Sequence, residues 1–248
     1  MMRWKELKFL VILFLVMAFV FFYFAAKEQE PYSEAKKHTD SLKSLYVVED
    51  KEEENPEVMS PPRWIDFASL QAINPEIVAW IHIQGTTIDY PVLRSEDSEF
   101  YLYHDYQKEV STIGSIFMDS GNQADFSSRH TILYGHNMTT TQMFSELANY
   151  EDEGYLLGRN IIELYLPHYY CKYEIISAYE TSTDSEDFQI QFESGEEYID
   201  WIKDRVLSDR AGEKVLTLST CTNAGGVKER FVVHSRLIEE MGIGNRGF

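Results

Sequence analysis

Cys221 ends the run Val215-Leu216-Thr217-Leu218-Ser219-Thr220-Cys221, and Arg230 follows nine residues later in Glu229-Arg230-Phe231-Val232-Val233-His234-Ser235. A thiol can serve as a small buried hydrophobe or, as thiolate, as a nucleophile. Lys214, Lys228, Arg230 and Arg236 bracket this one in a chain whose formal net charge is -19. Positive neighbours lower a thiol's pKa and favour its nucleophilic form. Covalent catalysis also needs a base to move the proton and a cationic or hydrogen-bonding group to hold an oxyanion. A guanidinium downstream of the thiol has the chemistry for the second task.

The β-branched and aliphatic runs on either side of Thr222-Asn223-Ala224-Gly225-Gly226-Val227-Lys228 read as strand, loop, strand, with the Gly pair marking the turn. The thiol then ends one strand and the guanidinium begins the next, where reactive groups are usually displayed. Seven histidines compete for the base, at 38, 82, 104, 130, 136, 168 and 234. His38 falls in a polar linker and His82 lies between Ile81 and Ile83 in a strand pattern. His136, in Leu133-Tyr134-Gly135-His136-Asn137-Met138, sits just past a strand end, with Gly135 permitting close backbone approach. His234 is its rival, since it follows Arg230 by four residues and shares a strand face with it. Position alone leaves both in play.

The rest of the chain must hold these groups in place. At 248 residues with 44% hydrophobic content, 15 Phe and 16 Tyr, there is material for one sizeable core. The acidic balance excludes a nucleic-acid footprint. Two cysteines, Cys171 and Cys221, do not make a disulfide scaffold, and Cys171 reads as a strand residue in the core. Arg3, Lys5 and Lys8 precede an apolar run from Phe9 to Ala26, which approaches the roughly 20 residues that span a bilayer. Phe24-Ala25-Ala26 lacks the small-x-small cleavage pattern of a signal peptide. We expect a retained anchor at 1–26, its amino terminus inside and the remainder outside the cell. A charged juxtamembrane linker is expected at 27–62 and one domain at 63–248. Helices are expected over 63–73, 97–104, 142–150 and 196–207, and strands over 77–83, 86–92, 113–118, 130–134, 161–166, 169–178 and the two opening runs. Many short strands with few helices point to a mainly β, closed or nearly closed barrel.

Thr217-Leu218-Ser219-Thr220-Cys221 with Arg230, together with Tyr134-Gly135-His136-Asn137, resembles the sortases, specifically those of class B. Ala79-Trp80-Ile81-His82-Ile83-Gln84-Gly85-Thr86, Ile88-Asp89-Tyr90-Pro91-Val92 and the stretch Gly114 to Asp119 add to the match, which covers roughly residues 63 to 240. The resemblance implies an eight-stranded β-barrel with peripheral helices behind an N-terminal transmembrane helix, the helix at 196–207 being the class B addition. It implies a transpeptidase needing no cofactor or metal. Cys221 would attack the Thr carbonyl of a sorting signal on a secreted protein, and His136 would exchange protons with the thiol and the leaving amine. Arg230 would hold substrate backbone or oxyanion, and Ser219 and Thr220 would line the site. A peptidoglycan amine, or that of its lipid-linked precursor, would resolve the thioacyl intermediate. No acid stands between Cys221 and Glu229, so a dyad plus Arg is expected rather than a triad. An extracellular cysteine protease releasing its acyl group to water, and a non-catalytic anchored surface protein, are the alternatives.

Overall fold

A computed structural model describes residues 4–49, 61–138, 140–210, 212–221 and 228–243. Helix α1 (Trp4–Tyr46) leads into strand β1 (Val47–Glu49), which pairs antiparallel with β2 (Arg63–Ile65). Among the described residues no helix is long and apolar enough to cross a membrane. The carboxy-terminal end of α1 is seated on the domain: Leu42 packs with Ile65, Phe67 and Trp80, and Lys43 and Arg63 both pair with the buried Asp89. Trp80 Nε1 donates to the same carboxylate at 2.7 Å. Burial alone would raise the Asp89 pKa, but these donors and cations hold it below the usual carboxylate range.

The helical spacing expected from Arg63 begins later, at α2 (Phe67–Ile73). Asp66 caps it by accepting from the Ser69 backbone N–H at 3.0 Å, and Arg63–Ile65 is drawn into pairing with β1 instead. Asn74 ends α2 as expected. The strands that follow are β3 (Ile77–Ile83), β4 (Asp89–Leu93), β5 (Ile116–Met118), β6 (His130–Tyr134), β7 (Ile161–Tyr165), β8 (Tyr169–Ser182), β9 (Val215–Cys221) and β10 (Glu229–Gly242). The helices expected at 97–104 and 142–150 are 3-10 turns at Phe100–Leu102 and Ser145–Glu151, followed by the short α3 (Glu153–Leu156).

The eight strands close in the order β10-β8-β7-β3-β4-β5-β6-β9. Alternate residues fill the interior, among them Ile81, Ile83, Val92, Leu133, Leu164, Leu216, Leu218, Phe231 and Val233. Cys171 belongs to this core, and burial pushes its thiol up to about 12. Along β10 its partner is Glu240 whereas that of Cys221 is Arg230. Ten residues of strand, roughly 30 Å at about 3.3 Å each, separate those two partners. A disulfide requires Cα atoms within about 7 Å, so the two cysteines are independent.

The remaining helix, α4 (Gly195–Val206), lies across the outside of the barrel. Ser194 caps it from outside by accepting from the Glu197 N–H, acids occupy its first turn and Lys203 and Arg205 its last, as the helix dipole favours. Tyr198, Trp201, Ile202 and Val206 form its buried stripe, packed on Val215.

Candidate active site

Two features of the topology bring the chemistry together. Strands β6 and β9 run parallel, pairing Tyr134 with Ser219, so both reach their carboxy-terminal ends at the same rim of the barrel. The Gly135 N–H extends the ladder to the Ser219 carbonyl at 3.1 Å, which places His136 beside the last residues of β9. Strand β10 then starts antiparallel where β9 stops, with Arg230 opposite Cys221. The two-residue period decides the face. Leu133, Leu216, Leu218, Phe231 and Val233 point inward, so positions 134 and 136, 219 and 221, and 230 and 232 fall on the outer face. His136, Cys221 and Arg230 thus occupy neighbouring register positions on one outer surface. The Cys221 side chain and residues 222–227 lie outside the described atoms.

His136 is held from three sides. Its carbonyl accepts from the Phe144 N–H at 3.1 Å, and its ring Nε2 donates to the Leu102 carbonyl at 2.7 Å. A Cβ on Gly135 would sit 2.5 Å from Ile116 and 2.8 Å from Phe144, so only glycine lets the chain turn outward here over the packed core. The Tyr103 ring lies beside the imidazole, centroids 6.4 Å apart. Tyr134, on the same face, donates to Asp119 at 3.0 Å; burial and the Asp119 charge raise its pKa, while Arg230 works in the opposite direction. Leu102, Tyr103, Tyr134 and Asp119 were not singled out from the sequence. Tyr134 was visible within its motif, whereas Leu102 contributes a main-chain oxygen that no side-chain pattern reveals.

The local basic character read around Cys221 is not retained. Lys214 pairs with Glu240 at 2.9 Å, Arg236 with Glu174 at 2.9 Å, and Lys228 with Asp184 at 2.8 Å. Val215, opposite Arg236, stands at the far end of β9 from Cys221. Of the four cations, Arg230 is the one that shares the thiol's register.

The structure also separates the two candidate bases. His234 is fully buried under α4. Its Nδ1 faces Thr217 Oγ1 at 2.8 Å, its Nε2 faces the Tyr179 hydroxyl at 3.0 Å, and the Asp187 carboxylate lies 3.6 Å away. Thr217 Oγ1 bridges onward to His130 Nε2 at 2.7 Å, and His130 Nδ1 donates to the Gln189 carbonyl at 2.7 Å. Trp201 covers His130, ring centroids 4.4 Å apart. A ring sealed in this way has no route to exchange protons with a substrate at position 221. His82 is likewise engaged, with Glu163 at 2.7 Å on one ring nitrogen and Arg63 at 3.2 Å from the other.

This buried chain predicts acid lability. Burial pushes His130 down to about 3 and lowers His234 as well. Asp187 is lowered too, since hydrogen bonds from Thr181, Ser185 and Tyr179 outweigh the upward effect of its burial. The unfolded histidines take up protons near pH 6.5 where the folded ones do not, so the unfolded state binds more protons and stability falls with pH from there downward. Each histidine contributes a slope of up to about 1.4 kcal/mol per pH unit, and Asp187 adds to the loss below about pH 4. The urea midpoint should be clearly lower at pH 5 than at pH 7; equal midpoints would contradict the neutral, buried assignment.

Ser219 and Thr220 are almost completely buried, and their hydroxyls have no hydrogen-bond partner among the described residues. Ser219 is on the outer face with Cys221, while Thr220 faces inward by the same alternation.

With this geometry in place, the comparisons are consistent. The sortase domain family model matches residues 81–238. Sortase B of Listeria monocytogenes is 34% identical over 184 residues, covering 70% of this chain and 74% of its own. Sortase B of Staphylococcus aureus is also 34% identical over 184 residues, covering 70% and 75%. The crystal structure of sortase B from Bacillus anthracis in complex with AAEK2 superposes with a TM-score of 0.69 at 31% identity, covering 84% of this chain and 97% of that one. A Staphylococcus aureus sortase B–substrate complex gives 0.65 at 29% identity, covering 87% and 98%. The chain belongs to the sortase family of cysteine transpeptidases, and its relatives are of the B class. The eight-stranded barrel with peripheral helices is therefore as expected.

Proposed function

We propose that this protein is a membrane-anchored transpeptidase that joins secreted proteins carrying a carboxy-terminal sorting signal to a peptidoglycan amine. The observation that carries the reading is the convergence of positions 136, 221 and 230 on one outer face of three adjacent strands. Cys221 attacks the scissile carbonyl and forms a thioester, and His136 delivers the thiol's proton to the leaving amine. The resolving amine then attacks the thioester, gives up a proton to His136 and returns the thiol. Arg230 offers a planar, permanently charged fork to substrate carbonyl oxygen or the developing oxyanion. The Ser219 hydroxyl, on the outer face and without a hydrogen-bond partner among the described residues, is suited to line the peptide site; Thr220 supports the same strand end from inside. The apolar sequence Phe9 to Ala26, preceded by Arg3, Lys5 and Lys8, supports the anchor.

The test is to follow a trapped acyl-enzyme as amine is added. Transfer product should rise at the expense of hydrolysis, from full-length protein recovered with the membrane fraction. Release to water unaffected by amine would mark a protease instead, and no acyl adduct at all would mark a non-catalytic surface protein.

A further inference from the structure

We propose that Gly114 is a positioning residue for the reaction: it seats the Leu102 carbonyl that fixes His136 in the Nε2-protonated tautomer, leaving Nδ1 as the nitrogen that exchanges protons. The proposal rests on His136 being the base. A carbonyl oxygen only accepts, so a ring nitrogen 2.7 Å from Leu102 O must carry its hydrogen. A neutral imidazole has one N–H, and the remaining nitrogen then holds the free lone pair.

The position of that carbonyl depends on a close backbone approach. Gly114 adopts φ +57°, and a Cβ there would fall 2.5 Å from Leu102 O, 2.7 Å from Tyr101 O and 2.9 Å from the Leu102 carbonyl carbon. All three are main-chain atoms, which cannot swing aside as a side chain would. The segment is tied on both sides of the contact: Ser115 N–H donates to Tyr101 O at 2.9 Å, Ser111 N–H to Tyr103 O at 2.8 Å, and Ser115 Oγ to His104 O at 2.9 Å. Adding a methyl group at 114 therefore pushes the Leu102 carbonyl, and the imidazole loses the acceptor that orients it. Misplacing a catalytic group by about 1 Å can cost on the order of 100-fold in rate.

Gly158 supplies a matched control. It has a similar φ of +75° but nothing within 4 Å of its notional Cβ, so Gly158→Ala carries backbone strain without a clash. Gly114→Ala should lower kcat by about 10- to 100-fold with little change in KM, while Gly158→Ala keeps the parent kcat. The direct reading is ¹⁵N NMR of labelled histidine in full-length Cys221→Ala protein under alkaline conditions, where no thiolate can hold the ring protonated. The His136 signal is assigned by its absence in a Cys221→Ala/His136→Gln spectrum. It should show the Nε2–H tautomer, and Gly114→Ala in that background should shift the signal toward a tautomer mixture. An Nδ1–H signal overturns the proposal whether or not Gly114→Ala folds. So does a folded Gly114→Ala with parent kcat and an unaltered histidine signal, or an equal loss in Gly158→Ala. An active His136→Gln enzyme would instead overturn the base assignment, an outcome separable from the tautomer itself.

Discussion

Cys221→Ala is expected to reduce transfer of a sorting peptide by a factor of about a million, the scale seen when a covalent nucleophile is removed, whereas Cys171→Ala remains folded and active. The contrast comes from topology. Cys221 closes β9 opposite Arg230 at the barrel rim, and Cys171 pairs with Glu240 along β10 and sits in the core. Burial holds the Cys171 thiol protonated, so it is inert as a nucleophile. Loss of its sulfur removes core contacts at a cost of about 1 kcal/mol. Peptide transfer and iodoacetamide labelling of both variants, with circular dichroism to verify folding, supply the check. Transfer surviving in Cys221→Ala would end the assignment of the nucleophile.

Several strands were legible in the sequence, because they depend on local rules. Ile77–Ile83, His130–Tyr134 and the start of β10 at Glu229 follow directly from β-branched runs bounded by turn residues. What was not legible depends on partners distant in the chain. Arg63–Ile65 is a strand because Val47–Glu49 returns to pair with it, although its own residues continue the apolar spacing of α2. Strand β8 runs on to Ser182 because Glu229 lies opposite as a pairing partner. The cations around Cys221 looked like an activating field, yet three of them are drawn to Glu240, Glu174 and Asp184, which linear proximity does not disclose. His136 and His234 were separable only in three dimensions: one ends a rim strand, and the other is roofed over by α4, an element about 30 residues earlier in the chain. The carbonyl that orients His136 belongs to the 3-10 turn Phe100–Leu102 between β4 and β5, and a main-chain oxygen carries no side-chain signature.

That separation underlies the second large effect. His136→Ala should lower the transfer rate by at least the factor of about 100 to 10,000 associated with a lost acid–base partner, because the thiol also loses the imidazolium that stabilises its thiolate. Arg230→Lys should cost about 100- to 1,000-fold, the range for a lost oxyanion donor, since an ammonium cannot reproduce two parallel donors in one plane. His234→Ala should be mild in turnover but costly in stability: the variant leaves Thr217 Oγ1 and the Tyr179 hydroxyl each short of a partner in a dry interior. A loss of about 1–3 kcal/mol for such buried groups should lower the urea midpoint while the folded fraction keeps most of its turnover. Rates per folded molecule, obtained by active-site titration of Cys221 alongside the unfolding curves, distinguish the three variants. If His234→Ala is dead per folded molecule and His136→Ala is near wild type, the base has been misassigned and the Leu102–His136 contact has no catalytic meaning. If the order is as stated, the parallel pairing of β6 with β9 is what brings base and nucleophile together, and the antiparallel return of β10 delivers the guanidinium to the same rim.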